Sequence, residues 1–414
     1  MKLPANRVIL NNNILYKISY LINVLSLLTN IIPFIVLYLL ILPIARYTSY
    51  YRRKRKLKPR LVWGPRPIMN IKYLSNLLKR RYGYDSETVV YEIYYINKKD
   101  DFDKIINICD NYLVNKLFIK FIAYYVFLIC LLKFDIFNYY YGGFLSVTFL
   151  KYFELKLLKL AGKKIILMQF GSDVTVPSYV MHKYKWNIGK VIYKDYPNYN
   201  EKIAIKNIKY FTNDADFIIG VGELVEFLPK FDIALPISSV IDPKEWKPIK
   251  IKTNNQTIKI VHAPNHPFIK GTEYLVKVYK KLKNRGYPIE LILVKGMRND
   301  RAKKIYENAD IIADQFIIGW YALFAAEGMA LGKPVLCYIR ENLVKINKYA
   351  LEYKLPILNT NPDNLEENLL RLIKNRGLRI KLGILGRKYI VNTVDYTIEQ
   401  LHKIYNKLWG VGMI

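Results

Sequence analysis

The chain has 414 residues, enough for two α/β domains and an extra segment, and 52% of them are hydrophobic. Lys and Arg exceed Asp and Glu by 65 to 33, giving a net charge of +32 spread along the whole sequence. With no RNA- or DNA-binding signature beside that charge, nucleic acid is set aside as a partner and an anionic membrane surface is favoured. Cys109, Cys130 and Cys337 are too few and too scattered for a disulfide framework or a metal cluster. They read as reduced thiols of a cytosol-facing chain. The four histidines lack zinc-ligand spacing, so neither a metal nor a cofactor is expected.

In chain order, a short extension (1–17) precedes residues 18–45, which carry no charged side chain. That stretch is long enough to cross a bilayer, which takes about 20 residues. Pro33 and Pro43 leave two arrangements open, a spanning helix or a re-entrant turn. The basic run 46–60 follows, with Arg46, Arg52, Arg53, Lys54, Arg55, Lys56, Lys58 and Arg60 and no acid. The positive-inside bias places everything after it on the cytoplasmic face, beside anionic headgroups.

Residues 61–241 read as a first Rossmann-like domain. A strand ends at Gly64-Pro65, a helix with Leu74, Leu77 and Leu78 on one face follows, and 87–92 is a second strand. The uncharged stretch 121–132 is too short to span and reads as a core helix or as a helix lying on the bilayer. A strand from Asp135 leads to Gly142-Gly143, and another, 164–168, leads to Gly171-Ser172-Asp173. Such loops at strand ends are either ligand edges of a doubly wound sheet or ordinary turns. Asp216–Gly220 is a further short strand.

Prolines 236, 243 and 248 and the polar run 250–257 mark an inter-domain linker, taken as 242–257. Beyond it, strands at 258–261, 289–294, 311–313, 334–339 and 356–358 alternate with helices at 271–284, 300–308, 320–331, 343–354 and 365–374. This is a second Rossmann-like domain, 258–385, with a helical tail, 386–414, crossing back. Without a Gly-x-Gly-x-x-Gly fingerprint, the pair suits a two-domain transferase working in a cleft rather than a dinucleotide enzyme.

Two strand–loop–helix junctions carry the chemistry. The first holds His262, Asn265, His266, Lys270, Gly271 and Thr272. The second holds Asp314, Gln315, Gly319, Trp320, Tyr321, Ala322 and Leu323, with Glu327 about two turns into its helix. Helix starts present unpartnered N–H groups and partial positive charge, so phosphate belongs there, and Lys270 adds a full cation. A carboxylate inside so apolar a helix is costly unless bonded, which points Glu327 at ribose or sugar hydroxyls. The alternatives are structural: a solvated Lys270, loop packing for the histidines and core packing for Trp320 and Tyr321.

Residues 61 onward resemble the GT-B glycosyltransferases, in particular the retaining glycogen-synthase-like group (family 4). Lys270-Gly271 is similar to the family's donor-phosphate pair. Glu327 with Met-Ala-Leu-Gly332-Lys333-Pro334-Val335 is similar to the second glutamate of its Glu-x7-Glu motif, and Asp135-Ile-Phe and Gly171-Ser-Asp-Val to its acceptor domain. The resemblance implies transfer of a hexosyl-type unit from a nucleoside-diphosphate sugar with retention and without a metal, Lys270 and Glu327 being catalytic. Gly64, Pro65, Gly142, Gly143, Gly171, Ser172 and Asp173 would face the acceptor. Gly319 stands where the family has its first glutamate, for which Asp314, Gln315 or a backbone amide near Trp320 would substitute; Pro267 stands where many relatives have a basic residue, for which His266 or Arg298 would compensate; and Phe170 stands where a histidine is frequent. With the apolar segment, the expectation is a membrane-attached transferase acting on a lipid-linked or polysaccharide acceptor. The alternatives are a sugar-nucleotide epimerase of the same fold and a catalytically silent, membrane-tethered sugar-nucleotide-binding partner.

Overall fold

The computed structural model describes residues 31–106, 112–237, 240–248 and 257–410. The extension 1–17, most of the first half of the apolar segment, Cys109 and most of the polar linker run lie outside the described residues. Helix α1 (Ile32–Lys54) opens with Pro33 in its first turn, where no intrahelical N–H is required, and runs on through Pro43 instead of turning back. One of its faces, Phe34, Tyr38, Ala45 and Ser49, is buried.

The first sheet has seven parallel strands: β1 (Leu61–Gly64), β2 (Ser86–Val90), β3 (Lys104–Ile105), β4 (Ile136–Tyr139), β5 (Lys164–Leu167), β6 (Phe217–Gly220) and β7 (Ile233–Ala234). Their spatial order is β3-β2-β1-β4-β5-β6-β7, with Leu61 level with Ser86 on one side and Ile136 on the other. Helix α2 (Met69–Tyr82) covers one face of this sheet. The other face is covered by α1, α3 (Tyr112–Lys133), α4 (Glu154–Leu160) and α5 (Glu201–Asp214). The uncharged stretch at 121–132 is thus the second half of a longer helix, with Phe127, Cys130 and Leu131 in the core.

The second sheet has five parallel strands: β8 (Ile258–His262), β9 (Ile289–Leu293), β10 (Ile311–Ala313), β11 (Val335–Cys337) and β12 (Leu358–Asn359), ordered β12-β11-β10-β8-β9. Its helices include α6 (Pro267–Lys270), α7 (Thr272–Asn284), α8 (Asn299–Glu307), α9 (Leu323–Ala330) and α10 (Leu365–Lys374). The run expected as one helix over 343–354 breaks at Asn347, whose side chain donates to its own Leu343 carbonyl and to Gly222 of the first domain. Helix α11 (Arg376–Trp409) crosses between the domains. Tyr389 bonds Tyr321 in the second domain, whereas Tyr405 bonds Asn138 on β4 and Trp409 donates to the Leu57 carbonyl.

In each sheet the strand order reverses once, between β1 and β4 and between β8 and β10. A doubly wound sheet opens a crevice beyond the carboxyl ends of its strands at such a reversal. The two carboxyl edges face one another: Gly222 and Glu226, just after β6, meet Trp320 (after β10) and Arg340 (after β11). The fold is therefore two parallel α/β domains closing on a cleft.

Candidate active site

The crevice of the second sheet is lined by the loops that leave β8 and β10. After β8, Pro267 starts α6 and Gly271 ends it in the left-handed conformation (φ 74°), so that the Gly271 N–H closes back on Phe268. A new helix begins at Thr272, where the sequence suggests a single helix from Gly271. This break sets Lys270 at the lip of the crevice. Its ammonium lies 2.5 Å from Gln315 Oε1 and 3.4 Å from Asp314 Oδ1, just beyond β10, and its side chain keeps 15% of its exposure. Asp314 is fully buried and accepts the Ala322 N–H at 2.8 Å, while Gln315 donates to the Trp320 carbonyl. One cation, one carboxylate and one amide thus tie the two junctions together at the reversal point.

The predicted donor residues divide into a lip and a wall. Asn265 is exposed, and His266, Lys270, Ala322 and Leu323 are partly so. His262 is enclosed: Nδ1 faces the Ala313 carbonyl at 2.7 Å and Nε2 the Thr272 hydroxyl at 2.9 Å. Burial pulls its pKa down to about 4, so the ring is neutral and pins β8 to β10 and to the start of α7. Gly271, Thr272, Gly319, Trp320 and Tyr321 are buried behind the lip. Trp320 packs so closely on Gly222 that a β-carbon there would stand 2.5 Å from the indole. Helix α9 starts at Leu323, later than expected, so Glu327 lies little more than one turn inside it. Its carboxyl group is buried, accepts a hydrogen bond from Asn299 at 3.0 Å, and is pushed up to about 8 by desolvation, with the charge of Asp314 adding to the rise. Exposed Arg298 pairs with half-buried Asp300.

On the first sheet, Gly64-Pro65 and Gly142-Gly143 follow β1 and β4, the two strands at its reversal point. Both loops are buried and internally committed. A β-carbon on Gly64 would strike the Val89 carbonyl, and one on Gly143 would strike the Glu154 carboxylate. Glu154 accepts the Phe144 and Leu145 amides at 2.8 Å each, yet its burial raises it to about 7. Asp173 takes the amides of Phe170, Gly171 and Tyr141, which makes Gly171-Ser172-Asp173 a closed loop with only Ser172 exposed.

Four charged groups in the cleft escape the sequence reading. Arg340 stacks on Tyr184 and forms a buried ion pair with Glu226 across the domains. Gly319, at φ 95°, leaves room for it: a β-carbon there would lie 2.6 Å from Arg340 Cγ. A glutamate at position 319 would therefore collide with Arg340. Glu223 faces Lys270 and Arg340 and is raised to about 7, desolvation outweighing those cations. Asp195 accepts the Ile269 N–H at 2.7 Å, so an acid of the first domain occupies the first turn of α6. Arg340 follows a predicted strand and Glu223 follows another. Strand-end position is the signal that would have found them.

No protein-family model and no curated protein matches the sequence. Solved structures do match the fold. Sucrose-phosphate synthase from Thermosynechococcus elongatus is 10% identical with a TM-score of 0.55, over 86% of this chain and 100% of that one. An alpha-glucosyltransferase in complex with UDP and a 13-mer DNA is 10% identical with a TM-score of 0.53, over 84% and 99%. At such identities the likeness concerns the fold, and the fold is GT-B.

Proposed function

We propose that the protein is a membrane-attached glycosyltransferase that moves a hexosyl-type unit from a nucleoside-diphosphate sugar to a lipid-linked or polysaccharide acceptor, with retention, at the cytoplasmic face. The observation that carries this reading is the Lys270 ammonium at the crevice of the second sheet, held by Gln315 and Asp314 and still open to a ligand. Negative charge grows on the diphosphate as the glycosidic C–O bond breaks, and a preorganised cation stabilises it there. A diphosphate competes with Asp314 and Gln315 for that cation, and Asp314 keeps its bond to Ala322 when the ammonium turns away. Glu327 and Asn299 supply paired acceptor and donor groups for ribose hydroxyls. Residues 61–241 form the acceptor half and 258–385 the donor half, with 386–414 crossing back. A UDP-bound glucosyltransferase among the structures sharing this fold supports the donor class.

A second reading, a sugar-nucleotide-binding partner that performs no transfer, is favoured by Gly319, whose place cannot hold a carboxylate beside Arg340. Full-length protein in membranes, incubated with radiolabelled nucleotide sugars, separates the two. Label moving into lipid or glycan with release of nucleoside diphosphate supports transfer. Saturable binding without product supports the silent partner and ends the transferase reading.

A further inference from the structure

Helix α1 is long and apolar enough to cross a bilayer, with little of it buried. Its packing argues for another placement. The buried residues Phe34, Tyr38, Ala45 and Ser49 form a stripe about 22 Å long at 1.5 Å per residue. Phe34 packs on Tyr124 and Phe127 of α3, and the Tyr38 hydroxyl donates to the Leu157 carbonyl on α4. Arg52 bonds Asp135, and Lys163 donates to Ser49. The globular domain therefore accompanies this helix along its length. Crossing the membrane would drag Leu157, flanked by exposed Lys156 and Lys159, into hydrocarbon.

The opposite stripe is open. Val36, Leu40 and Tyr47, at spacings of four and seven residues, are 52%, 66% and 66% exposed. On α3, which packs against α1, Phe118, Phe121, Tyr125 and Ile129 form a second exposed stripe at spacings of three, four and four. The surroundings are cationic: Arg46, Lys54, Arg55 and Lys56 belong to or follow α1, and the first acidic residue of the chain is Asp85. A second copy carrying +32 would be repelled by this face, whereas anionic headgroups are attracted to it. Tyr47, Tyr50, Tyr51 and Tyr125 suit the headgroup boundary.

We infer that α1 and α3 lie in the plane of an anionic membrane, seating the first domain on the lipid surface with α1 along the bilayer instead of across it. This deepens the membrane attachment proposed above. Behind that face, buried Tyr124 of α3 contacts Thr148 and the backbone of Phe149, in the segment that leaves β4 past Gly142-Gly143.

The test uses full-length protein with Cys109→Ser, the Cys130 and Cys337 thiols being buried, and nitroxides on Val36→Cys, Leu40→Cys and Tyr47→Cys. On vesicles of phosphatidylcholine with one-third phosphatidylglycerol, accessibility to oxygen and to a nickel chelate reports depth. In-plane binding gives the three labels one shallow depth, about 5–10 Å below the headgroups. A gradient of roughly 16 Å between positions 36 and 47 means a crossing helix and overturns the inference. Aqueous accessibility at all three, or shielding in a dimer without vesicles, overturns it too. Leu40→Glu with Ile129→Glu should weaken vesicle binding at least tenfold with an unchanged melting curve, and vesicles of phosphatidylcholine alone should bind at least tenfold more weakly. Equal binding to both vesicle types would refute the anionic component. Because no turnover is measured, these results are independent of whether the protein transfers sugar.

Discussion

Replacing Gly319 by alanine should cost about 4–7 kcal/mol, most of it through Arg340. The backbone at position 319 has φ 95°, where a β-carbon alone costs roughly 1–2 kcal/mol. That β-carbon would also lie 2.6 Å from Arg340 Cγ and 2.8 Å from its Cδ, so the arginine must leave its place. Its guanidinium is paired with Glu226 at 4% and 9% side-chain exposure, and separating such a pair typically costs about 3–5 kcal/mol. The assay is a double-mutant cycle by urea denaturation with Gly319→Ala, Arg340→Ala and the double variant. In the Arg340→Ala background the glycine replacement should cost only the backbone component, leaving a coupling of about 2 kcal/mol or more. Equal costs in both backgrounds would refute the claim that Gly319 exists to admit Arg340.

Lys270→Ala should lower kcat about a hundredfold, the usual effect of removing one preorganised donor, measured as nucleoside diphosphate released at saturating donor. A kcat within a few-fold of wild type removes Lys270 from the mechanism. Glu327 has its folded pKa raised to about 8, so its contribution to stability is complete below the usual glutamate range and is lost as pH rises through 8. The stability of wild type relative to Glu327→Gln should therefore fall between about pH 4.5 and 8. A flat difference across that window would mean the carboxyl group is not desolvated. Trp320→Ala, emptying a fully buried site against Gly222, should cost about 3–5 kcal/mol in urea, and a loss below 1 kcal/mol would show that the inter-domain contact is loose.

The sequence alone determined the alternation of strands and helices, because the strands are buried on both faces and read as short apolar runs between amphipathic helices. It also located Lys270, Asp314 and Gln315 near strand ends, where the structure joins them into one network. The depth of each residue was not legible in that way. His262 and Asn265 look equally polar in a loop, yet one is sealed between Ala313 and Thr272 and the other is exposed. The ion pair of Arg340 with Glu226 joins positions 114 residues apart, a separation on which local pattern is silent. The same holds for α1. Its composition states that it is apolar enough to span, while Tyr38 reaching Leu157 states that a domain lies along it. Periodicity is a property of neighbouring residues and survives in one dimension. Which side of an element meets solvent, lipid or the opposite domain is decided only when distant segments pack and exclude water together.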